Sequence, residues 1–316
     1  MASPMHPRER RCGDHAVDLI AARVQRLVAL QADVLADCDP EPLHQMRVSC
    51  RQLRSTLEQF GPALELPDQL SPQRVAKFGQ RLGLCRDLDV LRKRLDHQLL
   101  PFVPELEQEL LQRFRRQLKR ERKHAFADLK EVLHGRSYLK WLARCQAWLR
   151  LPSFSVIGLQ PLGDWFPELA HSVVLNLMLL PGWQVLDPTT EASAEALHLL
   201  RRRIKRARYG FNNLLVCEPQ LQPWCERFKA MQASLGDLND LQLLDCALAE
   251  HFEDRAAEQL PQLRVLIAEQ RQIAWSSWQA LAAELARPDQ RSALYQLLSG
   301  APAVSAAACA GERIQG

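Results

Sequence analysis

Two stretches decide how this chain reads: LHQMRVSCRQLRSTLEQF at 43–60 and LHLLRRRIKRARYGFNNL at 197–214. In the first, His44, Arg47, Arg51 and Arg54 fall at offsets 0, 3, 7 and 10. In the second, His198, Arg201, Lys205 and Arg208 fall at the same offsets, with Arg202, Arg203 and Arg206 crowded beside them. On an α-helix these offsets stay within about 80° of one another and draw a stripe about 15 Å long. Each copy is therefore read as a helix with one imidazole and three cations on a single face.

A second pair of stretches follows the first at constant spacing. LGLCRDLDVLRKRL at 82–95 parallels LGDLNDLQLLDCAL at 235–248. His44 to His198 is 154 residues, while Gly83 to Gly236 and Asp87 to Asp240 are each 153. Two motifs recurring at one spacing identify an internal duplication of a unit of roughly 150 residues. The boundary falls in the Pro- and Gly-bearing stretch 151–163. This gives a flexible lead-in at 1–13, a first helical bundle at 14–150, a connector at 151–163, a second bundle at 164–298 and a disordered tail at 299–316.

Helical periodicity runs between the prolines, near 14–37, 41–60, 72–99, 104–133, 136–150, 164–180, 191–217, 223–252, 255–285 and 289–298. Asp39-Pro40 and Ser71-Pro72 have the form of an N-cap followed by proline at the first helical position. In the first helix Val17, Ile20, Ala21, Val24, Leu27, Val28 and Leu35 form one apolar stripe. Only 13 Gly occur among 316 residues, and Val and Thr are sparse beside Leu, Gln, Arg and Ala. The fold class is all-α. A 47% hydrophobic content and balanced charge exclude a disordered chain. The nine Cys are irregularly spaced without a C-x-x-C, so neither a zinc site nor a disulfide framework is expected, and they fit a reducing cytosol. No apolar run is long enough to span a bilayer.

The stripes carry the chemistry. No acidic residue lies between Glu41 and Glu58, or between Glu195 and Glu218. Like charges at i, i+3 and i, i+4 repel by a few tenths of a kcal/mol per pair. An external polyanion is expected to supply the missing negative charge, and a chain of phosphates suits the guanidinium fork and the ammonium point charge. A third run at 113–123 repeats the spacing with Arg113, Arg116, Arg120 and Lys123, opposed by Glu121 alone. By itself it reads equally well as a solvated face. Asp87 and Asp240 are read as carboxylates that orient motif arginines, and Gly83 and Gly236 as points of close helix approach. The tryptophans are not interleaved with the stripes and are assigned to packing.

The paired H-x-x-R-x-x-x-[RK]-x-x-R helices, each followed by LG-x-x-x-D-L, resemble the CHAD domain, the conserved-histidine α-helical domain. LHGRSYLKWLARCQAWL at 133–149 is similar to that family's mid-domain helix. The resemblance spans roughly 14–298. It implies two helical bundles related by a pseudo-twofold axis, with a central basic groove or channel that binds inorganic polyphosphate. It also implies association with polyphosphate granules and their proteins in the cytoplasm. Residues carried over to that channel are His44, Arg47, Arg51, Arg54, His198, Arg201, Lys205 and Arg208. Arg202 and the third-run cations Arg116, Lys119, Arg120 and Lys123 are added to the expected polyphosphate-binding set. Two departures stand out: Asn212 replaces a Glu common after the second stripe, and the usually basic helix at 164–180 offers only His171.

Nothing in the sequence suggests catalysis. It has no G-x-S-x-G, no Walker A and no H-E-x-x-H, and Glu105, Glu107 and Glu109 lack the lysine of an E-x-E-x-K signature. No catalytic residue, metal or cofactor is expected, and no membrane partner. The rival readings are a nucleic-acid backbone as ligand, which the net charge of only +4 disfavours, and a scaffold at granules.

Overall fold

The computed structural model describes residues 6–300. Proline and capping side chains set most of the helix boundaries. Asp39 accepts a hydrogen bond from Glu41 N and Pro40 opens α2 (Pro40–Phe60), which follows α1 (Cys12–Ala36). Ser71 precedes α3 (Pro72–Arg94), but its carbonyl rather than its side chain takes the first free amides, Arg74 N and Val75 N. A wide turn, Leu95–Leu99, prolongs α3, and α4 (Glu105–His134) and α5 (Arg136–Arg150) complete the first half. The second half holds α6 (Phe166–Val174), α7 (Glu191–Leu214), α8 (Gln222–His251), the single turn α9 (Ala256–Gln259), α10 (Pro261–Ala286) and α11 (Pro288–Leu298). Among the described residues no strand forms, and extended pairing is confined to two isolated bridges, Arg11 with Pro161 and Leu64 with Phe154.

Three expectations are corrected. The helix expected at 164–180 stops at Val174, because Asn176 takes a left-handed φ of 59° that no helix can continue through. The helix expected at 255–285 breaks at Leu260, since Pro261 has no amide to donate and forces its predecessor out of the helical region. Glu107, buried in α4, caps the restarted helix: its two carboxylate oxygens accept from Gln262 N and Leu263 N at 2.9 Å each. The third correction concerns residues 6–13, expected to be flexible. Arg8 pairs with Glu218 at 2.5 Å, and the Arg8 and Arg10 carbonyls accept from Gly163 N and Leu162 N. Residues 301–316 of the expected tail lie outside the described residues.

The connector 151–163 is strapped down in the same way. Glu65 N donates to Ser153 O, Ser155 N to Ala63 O, and Cys12 N to Gln160 O. At Gly158 a Cβ would sit 2.0 Å from Ala63 O, so only glycine permits this approach.

Two apolar cores hold the halves together. The larger one draws on α1, α2, α5, α6, α7 and α11, on the early parts of α3 and α8, and on the late parts of α4 and α10. In α1 the buried face runs through Ile20, Val24, Leu27, Leu30 and Val34, while Val28 turns outward. The smaller core gathers Leu91, Leu95 and Leu99 with Phe114 and Leu118 of α4, and Leu241, Leu244 and Leu248 with Leu263 and Ile267 of α10. Along α3 the change from one core to the other falls between Cys85 and Leu91, and along α8 between Leu238 and Leu241. Asp87 and Asp240 stand at these two changeovers. The polar interior of the protein is thus fixed between two hydrophobic clamps.

Candidate polyanion site

At the crossing of α2 and α7, a buried polar network joins the halves. Asn213 Nδ2 donates to Gln59 Oε1 at 2.9 Å, and Gln59 Nε2 donates to Leu169 O and Gly210 O at 3.2 and 3.3 Å. Thr56 Oγ1 donates to Asn213 Oδ1 at 3.4 Å, and His15 Nε2 lies 2.6 Å from Asn213 O. Gly210 makes room here: a Cβ would meet Val173 of α6 at 2.5 Å. This network fixes the rotation of both helices, and therefore where their cationic stripes point.

The stripes point toward each other. Arg51 of α2 and Lys205 of α7 line one cavity of about 410 Å³ together with Arg54, Arg202, Arg203 and Arg206. A second cavity, of about 770 Å³, is lined by Arg47, Arg51 and Arg54 of α2 and by Lys77 and Arg81 of α3. Arg51 and Arg54 belong to both walls. Carboxylates are scarce: Asp87 lines the larger cavity and Glu58 the smaller.

Both carboxylates are already engaged. Arg47 Nη1 donates to Asp87 Oδ1 at 2.7 Å and to Gly83 O at 2.8 Å, with its guanidinium laid over Gly83, where a Cβ would come within 3.2 Å of it. Gly83 is small because an arginine packs on it. Arg201 lies over Gly236 in the second half, and Asp240 is the negative charge that acts on it most strongly. Burial raises the Asp240 carboxyl, and Arg201 counteracts that rise. Glu58 accepts from Arg54 Nε at 2.8 Å and faces Arg206 Nε at 3.8 Å, tying α2 to α7.

The central cations have no such partner. Arg51, Arg201 and Lys205 form no ion pair among the described residues, and Arg51, Arg201 and Arg208 each keep a buried Nε without an acceptor. Arg208 lies over the Tyr209 ring at 4.9 Å. Burial lowers the pKa of Arg51 and Arg201, and burial together with Arg201, Arg51, Arg47 and Arg208 pushes Lys205 down to about 6. Several cations thus stand in a partly desolvated space with too little negative charge, which is the physical signature of an anion site.

The histidines are placed differently from the arginines, and neither is on the wall of the two cavities. His44 is half-buried; burial is the first cause that lowers its pKa and the facing Arg86 the second. His198 Nδ1 donates to Asn239 Oδ1 at 2.7 Å, where α7 crosses α8. Arg86 and Asn239 are equivalent across the duplication, so each histidine meets the same position of its repeat.

Arg116, Lys119, Arg120 and Lys123 are exposed on α4 and line neither cavity. Two neighbours in that run serve the scaffold: Arg122 is held by Asp37 and Asp89, and Arg115 by Asp96 at 2.7 Å. Arg264 and Arg271 both converge on Asp245 in the second half. Sequence reasoning missed Lys77 and Arg81, and it named Arg203 and Arg206 beside the second stripe without adding them to the binding set. A signal for the α3 pair existed, because Arg74, Lys77 and Arg81 repeat the 0, 3, 7 spacing of the motif.

The comparisons with known proteins agree with this architecture. The model of the CHAD domain family matches residues 18–249. No curated protein matches the sequence significantly. Among solved structures, PptA from Streptomyces chartreusis superposes with a TM-score of 0.66 at 16% identity, covering 86% of this chain and 99% of that one. The CHAD domain from the plant Ricinus communis superposes with a TM-score of 0.57 at 21% identity, covering 94% and 97%.

Proposed function

The chain belongs to the CHAD domain family, and from that footing we propose that it binds linear inorganic polyphosphate along the basic cleft where α2 meets α7. The observation that carries this reading is the trio Arg51, Arg201 and Lys205, brought close to one another from two helices without an ion pair of their own among the described residues. A phosphate chain supplies repeated oxyanions at a spacing that guanidinium forks grip, and it supplies them where burial strengthens each contact. Arg47 and Arg54, steadied by Asp87 and Glu58, extend the track, and Lys77 and Arg81 widen it on the α3 side.

The protein acts in this reading as a binding module and not as an enzyme, and the associated place is the cytoplasm, at polyphosphate granules. Among the described residues no helix is long and apolar enough to cross a membrane. Nucleic acid is the weaker ligand, because no aromatic lines the larger cavity and Tyr209 on the wall of the smaller one is buried.

Titration of a fluorescent long-chain polyphosphate against the protein and against a variant carrying Arg51→Glu and Lys205→Glu tests this. Reversing two central charges should abolish binding while circular dichroism stays helical. Unchanged affinity in that variant would refute the reading, and RNA displacing polyphosphate at equal phosphate concentration would transfer the site to nucleic acid.

A further inference from the structure

Lys205 differs from every other lysine in the protein. Lys77, Lys93, Lys119, Lys123, Lys130, Lys140 and Lys229 are all exposed; Lys205 alone is half-buried. It sits on α7 one turn beyond Arg201 and one turn before Arg208, on the wall of the 410 Å³ cavity with Arg51, Arg54 and Arg206. It makes no hydrogen bond or ion pair among the described residues, and Glu58, the carboxylate of that cavity, is committed to Arg54 and Arg206.

We propose that Lys205 is an acyl-acceptor site for small acyl phosphates, whose phosphoryl group docks among Arg51, Arg54 and Arg206 and whose acyl group is transferred to Lys205 Nζ. Three properties converge on this chemistry. The guanidinium groups recognise a phosphate dianion. The cavity admits a small organic phosphate. The amine is nucleophilic, because burial and the facing cations Arg201, Arg51, Arg47 and Arg208 push its ammonium down to about 6, leaving it mostly unprotonated at neutral pH.

In the step itself, the Nζ lone pair attacks the acyl carbon and forms a C–N bond. The bond from that carbon to the bridging phosphate oxygen breaks, and inorganic phosphate leaves. The proton lost by the amine ends on the departing phosphate, so an amine and an acyl phosphate dianion become an amide and hydrogen phosphate dianion. Arg51, Arg54 and Arg206 stabilise the negative charge that accumulates on the leaving group. The product carries no charge at the centre of the cleft and cannot regain one by protonation. Acylation therefore removes permanently a group that a bound polyanion would otherwise draw into its protonated, cationic form.

This inference stands on the cavity and the amine and not on the identity of the long polyanion. The full-length protein is incubated with acetyl phosphate near neutral pH, and acetylation of all eight lysines is quantified by mass spectrometry of chymotryptic peptides. Lys205 is expected to be modified at least about tenfold faster than exposed Lys229 or Lys77. Inorganic phosphate should suppress that excess saturably, and the double variant Arg54→Gln, Arg206→Gln should lose it while Lys229 reacts as before. N-hydroxysuccinimidyl acetate, which has no phosphate to dock, should favour Lys205 through its free amine alone and therefore less strongly than acetyl phosphate does. Lys205 reacting no faster than Lys229 with acetyl phosphate, or equally favoured by the phosphate-free reagent, would overturn the proposal. Failure of polyphosphate to bind would leave these readouts unaltered, so the two proposals fail separately.

Discussion

Gln59 and Asn213 are the same position in the two copies of the repeat, and they bond each other. They are 154 residues apart, the offset that relates His44 to His198, and Asn213 Nδ2 reaches Gln59 Oε1 at 2.9 Å in a buried setting. Equivalent residues that touch lie on the axis relating their halves, so this contact marks the pseudo-twofold axis. Arg51 and Lys205 are equivalent by the same offset and lie two turns earlier on their helices. The unpaired charges therefore straddle the axis, where each half adds its cations to those of the other. Replacing Asn213 with Leu should destabilise the protein by about 1–3 kcal/mol, because Gln59 Oε1 loses its buried donor. The double variant with Gln59→Leu should cost less than the sum of the single changes, measured by denaturant melts.

Lys205→Met should act in opposite directions on stability and on binding. Folding strips the Lys205 ammonium of water among cations and drives it to about 6. Between that value and the ordinary lysine range, the unfolded chain holds a proton that the folded one does not, so wild-type stability gains from rising pH in that window. Methionine fills the space without this penalty and should raise stability at neutral pH by about 1–3 kcal/mol while weakening polyphosphate binding at least about tenfold. Thermal melts at neutral and alkaline pH, beside titrations, check both signs. The stabilisation should shrink as pH climbs.

The pH dependence of binding follows from the same groups. His44 and Lys205 are both held below their ordinary values by burial first and by neighbouring arginines second. A polyanion favours their protonated forms and raises both. Binding therefore takes up protons, and affinity declines as pH rises upward from about 6. Calorimetry in two buffers of different ionisation enthalpy should report net proton uptake at neutral pH. An affinity flat across that range would contradict the placement of Lys205 beside the ligand.

The duplication and the helical class were legible in the sequence because each is written as a spacing, while the central groove where α2 meets α7 came from the family resemblance. The stripe at 0, 3, 7, 10 and its recurrence fix which faces carry charge, and prolines at 40 and 72 mark where helices begin. What was not legible depends on contacts between distant residues. Glu107 looks like one glutamate in an acidic turn, yet it caps α10 some 155 residues away. Arg122 has the look of a ligand cation, yet Asp37 and Asp89 claim it. The recurrence of His44 and His198 signals a shared register but not its purpose; only coordinates show both at helix crossings, off the cavity walls. Asn176 cut short a helix that apolar periodicity extended, because a left-handed residue leaves no mark on hydropathy.

Glu58 offers a variant that should gain function. Its carboxylate lines the smaller cavity, and it is held by Arg54 and faced by Arg206. The equivalent position of the second copy is Asn212, which carries no charge. Glu58→Gln keeps the size and hydrogen-bonding capacity of the side chain and frees two guanidinium groups for phosphate. Affinity for polyphosphate should rise about three- to tenfold, and the slope of log affinity against log salt should steepen by about one ion. A fall in affinity would mean that Glu58 orients Arg54 for the ligand and does not compete with it.

The run on α4 gives the sharpest separation between charge in general and charge in the cleft. Arg116, Lys119, Arg120 and Lys123 are exposed and stand on neither cavity wall, while Arg115 and Arg122 beside them are tied to Asp96, Asp37 and Asp89. Solvated cations beyond about 10 Å from a ligand are largely screened at physiological salt. Changing all four to Gln should therefore leave affinity for a short polyphosphate within about twofold, whereas the same loss of charge at Arg51 and Lys205 abolishes it. Competition titrations with short and long chains compare the two variants directly. Equal losses would show that net charge, and not the paired stripes of α2 and α7, holds the polyanion.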